Sequence, residues 1–381
     1  AQPEQSLAES ALDLGVLGEG EETAVEIAQA CAEGCLTPAT ITGIAYKVGG
    51  EVRINQRRAR TRKIDLIAPP AWDLTPIENY LARGFGFGVD RGRSMPMLAS
   101  RGCPYQCAFC SNPSMWTTRW IARDPDLLLD EMQSYQEKYG AENFDFYDLT
   151  AIVKKSWIVD FCNKIKERGL NFTWQLPSGT RSEAIDGEVA RLLYASGCRN
   201  MSYSPESGSP SVLERIKKKI DPNALIASIR SGHAEGMNIK CNIILGFPGE
   251  TLGDVMHSYG FIMRMALAGA YDLSVWAFSP YPGSELFDEI AGKGTITPDD
   301  AYYDSLRSYA DASRTVSHSE NFSDGRLKLL RFLVLCLFYA TSWVRRPMRP
   351  LRMIWNVSRG RQESRAEMGL ANLIRRKKLS T

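Results

Sequence analysis

Apolar segments alternate regularly with helical stretches between residues 95 and 278, and this alternation limits the fold more than any other feature of the chain. Strands are predicted at Met95–Ala99, Phe144–Tyr147, Phe172–Gln175, Asn200–Tyr203, Ile239–Leu245 and Leu273–Phe278. The intervening helices are predicted near Asp126–Tyr139, Lys154–Arg168, Asp186–Ala195, Pro210–Lys219 with Pro222–Glu235, and Leu252–Ala268. Such alternation indicates a parallel sheet with crossover helices. Six units predict an α/β fold with a partial (βα)6 TIM-like barrel rather than the closed eightfold one.

Three cysteines, Cys103, Cys107 and Cys110, follow the first predicted strand. Because chemistry in such folds lies at the carboxyl ends of the strands, this loop marks the candidate site. Three thiolates can hold a [4Fe–4S] cluster and leave one iron open to a small molecule. The alternatives are a zinc site, which usually needs four ligands, and a disulfide, which would leave one thiol over. No fourth Cys or His lies near in the sequence, so the spacing favours the cluster.

Composition excludes several classes of protein. The nine cysteines show no paired spacing elsewhere, so they do not predict a disulfide framework, and a reducing cytoplasm is expected. We expect neither a signal peptide nor a run long enough to span a membrane. Residues 1–325 contain 32 basic and 42 acidic residues, whereas residues 326–381 contain 14 basic and 2 acidic ones. The tail is therefore strongly basic.

The cysteine spacing, with Phe109 just before the last cysteine, resembles the Cys-x3-Cys-x2-Cys motif of the radical S-adenosylmethionine (SAM) enzymes. The resemblance implies a [4Fe–4S] cluster on Cys103, Cys107 and Cys110, with SAM bound to the open iron and with Phe109 among the cofactor-binding residues. It further implies reductive cleavage of SAM to methionine and a 5′-deoxyadenosyl radical. An electron donor of the flavodoxin or ferredoxin type would be the partner.

Polar residues at three strand ends match SAM-binding positions of the same family. The segment Tyr203-Ser-Pro-Glu-Ser-Gly-Ser209 resembles its E-S-G-S motif, which implies that Glu206 and Ser207 contact SAM. A cap at a helix start is the alternative. Asp148 follows the second strand, where the family places a polar group for the SAM ammonium; otherwise it is a solvated turn carboxylate. Arg181, after the third strand, would contact the SAM carboxylate or the substrate, or it is a surface arginine.

The last two strand ends also resemble family motifs. Ile244-Leu-Gly-Phe-Pro-Gly-Glu-Thr251 is similar to G-F-P-G-E-T, which implies SAM contacts by Ile244 and Gly246. Glycine would let the backbone approach adenine closely, although a strand–helix turn explains the segment as well. Ser279-Pro-Tyr-Pro-Gly-Ser-Glu-Leu286 resembles P-Y-P-G-T-x-L and makes Tyr281 a candidate to face substrate. More often such a residue packs the mouth of the barrel.

The segment before the barrel indicates which branch of the radical SAM enzymes this chain resembles. Leu14-Gly-Val-Leu-Gly-Glu-Gly-Glu-Glu-Thr23 is similar to the last part of the Rossmann-like cobalamin (B12)-binding domain in one radical SAM branch. That branch includes anaerobic magnesium-protoporphyrin ester cyclases, hopanoid methylases and other B12-dependent methyltransferases. It implies a domain remnant at 1–55, a linker at 56–94, the barrel at 95–290 and a basic helical extension at 291–381. The D-x-H-x-x-G motif, whose histidine can ligate cobalt in that branch, is absent. We expect that most of the B12 domain is missing upstream, because the segment opens in mid-domain; the alternative is that the chain has lost cobalamin.

The resemblance implies C-methylation or oxidative cyclisation of a small, hydrophobic or tetrapyrrole-like substrate. The alternatives are a cobalamin-independent enzyme of the methylthiotransferase type and a non-catalytic metal-binding or iron–sulfur protein. The apolar tail segment Phe332–Val344, flanked by arginines, would lie on the cytoplasmic face of a membrane. A helix packed on the barrel with solvated arginines is the alternative. Only the charge run suggests nucleic acid, which we do not favour.

Overall fold

The computed structural model describes residues 2–309, 311, 314–364 and 366–371. The strands are β1 Leu14–Val16, β2 Ile44–Val48, β3 Glu51–Ile54, β4 Ser94–Met97, β5 Ser100–Arg101, β6 Ile121–Ala122, β7 Asn143–Phe146, β8 Thr173–Thr180, β9 Cys198–Glu206, β10 Asn238–Leu245 and β11 Asp272–Ala277. The α-helices are α1 Pro3–Ala8, α2 Glu21–Ala32, α3 Ile77–Arg83, α4 Asn112–Trp116, α5 Pro125–Tyr139, α6 Lys155–Glu167, α7 Gly187–Ala195, α8 Pro210–Arg215, α9 Pro222–Ala234, α10 Leu252–Ala268, α11 Glu285–Gly292, α12 Asp300–Leu306, α13 Asp324–Arg345 and α14 Met348–Ser358. The last residues of the predicted basic tail, from 372 on, lie outside the described residues.

Six strands form one sheet in the order β11-β10-β9-β8-β7-β4. Every neighbouring pair is parallel. Strands that follow one another in the six-unit pattern lie side by side, because each helical crossover returns the chain to the next position. The predicted α/β class, the parallel sheet and its six strands are therefore confirmed.

The chain divides into two compact units. The smaller unit comprises residues up to Ala68 together with Arg101–Ile121 and Pro280–Thr297, and it contains an antiparallel sheet of order β1-β2-β3. The larger unit comprises Pro69–Ser100, Ala122–Ser279 and the chain from Pro298, and it contains the parallel sheet. The predicted domain boundaries at 55, 94 and 290 stay predictions.

An aromatic cluster holds α6 against two strands of the larger unit. The rings of Phe146, Phe161 and Trp174 meet edge to face, with centroids 5.5–6.0 Å apart. The indole N–H of Trp174 donates to the Ser196 carbonyl at 3.0 Å, so this buried donor is satisfied. The cluster fixes the carboxyl end of β7, which carries one of the candidate site residues.

Polar side chains near the amino ends of the strands bind a glycine-containing segment that precedes β4. The Gly88 N–H donates to Asp145 Oδ2 at 3.0 Å, and the Val89 N–H donates to Gln175 Oε1 at 3.1 Å. Gln175 Nε2 donates in turn to the Val89 carbonyl at 2.8 Å and to Asp145 Oδ1 at 2.6 Å. The buried side chains of Asp145 and Gln175 thus have hydrogen-bond partners in the backbone of Gly88 and Val89. This segment covers the amino end of the sheet.

The C-terminal segment completes this closure. Asn200 accepts a hydrogen bond from Arg91 Nε at 2.6 Å and donates to the carbonyl of Glu363 at 2.9 Å. Glu367 is fully buried and accepts from the Tyr271 hydroxyl at 3.3 Å. Arg91 and Glu363 therefore both contact Asn200 at the same end of the barrel.

The tail forms α13 and α14 and differs from the expectation in two ways. Among the described residues, α13 is one helix that is long and apolar enough to cross a membrane by length and composition, so the expectation that no run is long enough was wrong. A third of its most apolar window is buried against the protein. The arginines are also not all solvated: Arg331 donates to the Val275 carbonyl, and Arg346 and Arg349 donate to carbonyls at the end of α10.

Gly208 offers a stability test of the turn after β9. A Cβ at this position would lie 2.5 Å from Phe261 Cβ and 2.9 Å from Ser258 Cα on α10. We expect Gly208→Ala to lower the free energy of unfolding by about 1–3 kcal/mol, because the packed helix must move. Gly260→Ala, in α10 with nothing within 4 Å of the added carbon, should instead raise it by up to ~1 kcal/mol. Urea unfolding of both variants measures this, and equal effects would contradict it.

Candidate active site

The three cysteines lie in a loop of the smaller unit, residues 101–119, which we call the cysteine loop. Their side chains are partly buried, and the structure joins none of the described cysteines in a disulfide, which does not support the disulfide alternative. The Cys110 N–H donates to the Cys107 carbonyl at 3.0 Å, and Asn112 Nδ2 donates to the Cys103 carbonyl at 3.3 Å. Gly102 has φ +84°, a conformation that glycine adopts readily and that turns the chain just before Cys103.

Asp148 braces the chain just before the cysteine loop. It lies two residues beyond β7, and its Oδ2 accepts from the Ala99 N–H at 3.0 Å while Oδ1 accepts from the Ser100 hydroxyl. Its side chain is buried, so the alternative of a solvated turn carboxylate was wrong. Burial raises the pKa of Asp148 to about 6, against the opposing effect of the Ser100 and Ala99 hydrogen bonds.

This pKa predicts a pH dependence of stability. The pKa of Asp148 is about 6 in the folded chain and ordinarily 3.8, so the folded state keeps the proton longer than the unfolded state. The free energy of unfolding should therefore fall by about 2 kcal/mol as the pH rises from 4 to 6. Asp148→Asn should lack this slope, which urea unfolding of the metal-free protein at several pH values measures. Parallel curves for the two proteins would contradict the assignment.

Glu206 ends β9 and forms a buried ion pair with a lysine that the sequence did not single out. Its Oε1 accepts from Lys218 Nζ at 3.0 Å, and both side chains are at most a tenth exposed. Burial raises the pKa of Glu206, while Lys218 opposes this effect. Glu206 also has φ +68°, an unusual conformation for a residue with a side chain, and such strain is concentrated at functional sites.

Arg181 and Ser207, two further candidate residues near Glu206, make contacts of different kinds. Arg181 is buried and donates to both carboxylate oxygens of Glu183 and to the Lys219 carbonyl, so the alternative of a surface arginine was wrong. The Ser207 hydroxyl lies 3.1 Å from that of Ser258 on α10. The contacts observed for Ser207 therefore hold α10, and its SAM contact stays a prediction.

The turn after β10 contains a third buried carboxylate, that of Glu250. Gly246 has φ +88°, and its N–H donates to Glu250 Oε2 at 2.5 Å. Burial raises the pKa of Glu250 to about 7, against the amides of Gly246 and Phe247, and its Oε1 has no hydrogen-bond partner among the described residues. Thr251 caps α10 in a capping box. Ile244 is half-buried, and Leu327 fills the space beside Gly246.

Two candidates belong to the smaller unit. Phe109 is half-buried in the cysteine loop. Tyr281 is about one-third exposed, and its carbonyl accepts from the Ser284 hydroxyl at 2.7 Å. Neither arrangement tests the predicted roles.

The donor set fits an iron–sulfur cluster by its chemistry. Three thiols in one glycine-containing loop are soft ligands of the kind that such clusters use. Within the described ranges, however, no group of three or more His, Cys, Asp or Glu side chains is gathered as a ready metal site. The ligand assignment therefore rests on the spacing and the loop rather than on measured ligand distances.

Sequence reasoning missed Lys218 and Glu250. The signal for Lys218 was a run of three lysines, residues 217–219, shortly after the E-S-G-S segment. Lys217 and Lys219 are exposed, whereas Lys218 turns toward Glu206. Glu250 stood inside the quoted G-F-P-G-E-T motif, but its burial depends on the packing of the turn.

Comparison with known proteins supports the interpretation of the cysteine loop as part of a radical SAM site. The sequence model of the Radical SAM superfamily matches residues 97–262. An uncharacterized methyltransferase of Pyrococcus horikoshii is 31% identical over 277 residues, which cover 73% of this chain and 58% of that protein. The anaerobic magnesium-protoporphyrin IX monomethyl ester cyclase of Cereibacter sphaeroides is 26% identical over 73% of this chain and 45% of that protein.

A solved structure shows the same fold. The radical S-adenosylmethionine methyltransferase TsrM from Kitasatospora setae, with tryptophan and a SAM analogue bound, has a TM-score of 0.60 at 20% identity. The similarity covers 74% of this chain and 54% of that one. The chain spans about half the length of the curated relatives it matches.

Proposed function

We propose, from the premise that residues 97–262 belong to the radical SAM superfamily, that this chain is an enzyme whose cysteine loop carries a [4Fe–4S] cluster. Cys103, Cys107 and Cys110 would be the ligands. When bound and reduced, the cluster supplies the electron that cleaves SAM to methionine and a 5′-deoxyadenosyl radical. The observation that carries the proposal is the match of the superfamily to the region that contains the cysteine loop and the buried strand ends.

Glu206 and Lys218 are suited to the amino-acid end of SAM. That end carries an ammonium and a carboxylate, which are complementary to a buried carboxylate and a buried ammonium side by side. Asp148 would act differently from the original prediction: it holds Ala99 and Ser100 and so positions the start of the cysteine loop. Arg181 supports the pair electrostatically, because its charge lowers the pKa of Glu206 against the effect of burial.

The reaction class follows from the relatives. A methyltransferase and a cyclase are among them, so we propose C-methylation or oxidative cyclisation of a small, hydrophobic or tetrapyrrole-like substrate. Cobalamin is proposed as a further cofactor, since the fold is similar to that of TsrM solved with cobalamin and a [4Fe–4S] cluster bound. A flavodoxin or ferredoxin would deliver the electron.

Anaerobic reconstitution tests the proposal. The chain loaded with iron and sulfide should convert SAM to methionine and 5′-deoxyadenosine when dithionite is added, as measured by mass spectrometry. Absence of both products would refute the enzyme and favour a non-catalytic iron–sulfur protein. Corrinoid binding by the full-length gene product, followed by its absorption spectrum, would separate the cobalamin-assisted enzyme from a methylthiotransferase-like one.

We further propose peripheral contact of α14 with anionic lipid. Its outer face exposes Met348, Leu351, Ile354 and Trp355, each by more than half. The sequence between Asp324 and Glu363 contains no acidic residue, and the Arg359 guanidinium lies 3.9 Å from the centre of the Trp355 ring. An apolar face with basic neighbours suits the headgroup region of an anionic membrane.

Vesicle binding tests this contact. We expect co-sedimentation with phosphatidylglycerol-containing vesicles, and Ile354→Asp should weaken it about tenfold, because an exposed apolar side chain that would insert among the lipids is replaced by a charge. Val25→Asp, at an exposed apolar position of α2, is the matched control and should bind as wild type does. Equal binding to neutral vesicles, or no effect of Ile354→Asp, would refute the proposal.

A further inference from the structure

We infer that Glu19 and Arg60 form a clamp that holds both ends of the cysteine loop in place. Neither residue belongs to the cysteine motif, and the sequence placed Arg60 in a linker. The inference rests on the proposed function only for the nature of the cluster. The contacts that carry it all lie within the smaller unit.

Arg60 holds the end of the loop that follows the cysteines. Its Nη1 donates to the carbonyls of Trp116 and Arg119, each at 2.6 Å. The guanidinium also lies 5.6 Å from the centre of the Trp116 ring, within the range of a cation–π interaction. Because a guanidinium presents several donors in a fixed plane, one side chain fixes two carbonyls three residues apart.

Glu19 connects Arg60 to the other end of the loop. Its Oε1 accepts from Arg60 Nε and Nη2 at 3.4 Å and lies 3.8 Å from Nη1 of Arg101, two residues before the first cysteine. Its Oε2 accepts from the Thr61 N–H at 2.9 Å. The side chains of Glu19 and Arg60 are each only 10% exposed, so water screens this pair little.

Close packing at Gly102 shows that the two ends of the loop are in contact. A Cβ at Gly102 would meet the Arg119 carbonyl oxygen and would lie 2.9 Å from Arg60 Nη1. The segments that enter and leave the loop therefore lie side by side, and the Arg60 guanidinium lies against both of them. The three thiols lie between these fixed ends, so the clamp reduces the conformational freedom that ligand binding would otherwise remove.

The test compares Arg60→Gln with Arg62→Gln, an equal change of charge at an exposed position in the same segment. In metal-free protein, iodoacetamide labelling read by mass spectrometry should show faster alkylation of Cys103, Cys107 and Cys110 in Arg60→Gln. Cys31 and Cys35, exposed thiols of the same unit, are internal references whose rates should not change. In reconstituted protein, iron should pass to a chelator about 10- to 100-fold faster, the usual effect of removing a residue that supports metal ligands.

A double variant tests whether the two residues act together. If Glu19 acts through Arg60, Glu19→Gln combined with Arg60→Gln should release iron no faster than Arg60→Gln alone. Unchanged labelling in Arg60→Gln would overturn the inference. Equal acceleration at Cys31 and Cys35 would also overturn it, since Arg60 would then support the whole unit. Labelling is read without a cluster, so it remains decisive even if the wild type cleaves no SAM.

Discussion

Cys107→Ala should abolish the formation of 5′-deoxyadenosine from SAM. The loop contains three cysteines, Cys103, Cys107 and Cys110, so the variant keeps only two thiols as ligands. Two remaining thiolates hold a cubane cluster poorly, and thiolates are its usual ligands. Product analysis after anaerobic reconstitution, together with iron content, measures the effect.

Cys35→Ala is the matched control for this experiment. Cys35 is a reduced, exposed thiol of the same unit, and its replacement should leave iron content and product formation unchanged. A Cys107→Ala protein that forms 5′-deoxyadenosine at the wild-type rate would refute the ligand assignment. Loss of product in both variants would show that reconstitution depends on thiols in general.

Lys218→Met should weaken SAM binding about 10- to 100-fold, the effect of one charge-assisted hydrogen bond. It should also destabilise the chain, since removal of one partner from a buried pair costs about 3–5 kcal/mol when the other charge stays unpaired. Burial already raises the pKa of Glu206, so protonation of this carboxyl will offset part of that cost. Equilibrium dialysis with labelled SAM and urea unfolding measure the two effects separately.

The double variant Glu206→Gln with Lys218→Met separates stability from binding. It leaves no unpaired buried charge, so much of the lost stability should return, whereas SAM affinity should stay low. If the double variant binds SAM as tightly as wild type, the pair is structural only. Lys217→Met, at an exposed position beside it, should change neither quantity.

The strands and helices of the barrel were predictable because their signal is local. Apolar runs such as Ile239–Leu245 and helix starts such as Thr251 need no knowledge of distant residues. The strand order followed from the alternation, since each crossover leads to a neighbouring parallel strand. The cysteine spacing likewise indicated its chemistry before any fold was known.

Burial and pairing of charges were not predictable in the same way. The packed-helix alternative for the tail expected solvated arginines, yet Arg331, Arg346 and Arg349 donate to backbone carbonyls on β11 and around the end of α10. Those carbonyls become available only at the end of a helix or on the edge strand of a sheet in the folded chain. For the same reason, the ion pair of Lys218 with Glu206 and the contacts of Arg60 with the cysteine loop could not be predicted from the sequence alone.

The closure of the barrel by its C-terminal segment has a consequence for biosynthesis. Asn200 bonds to the carbonyl of Glu363, 163 residues later, so that end of the sheet is incomplete until residue 363 has left the ribosome. Contacts of such long sequence separation form late and slowly. Nascent chains stalled before residue 363 should therefore be more sensitive to protease than chains that include this segment.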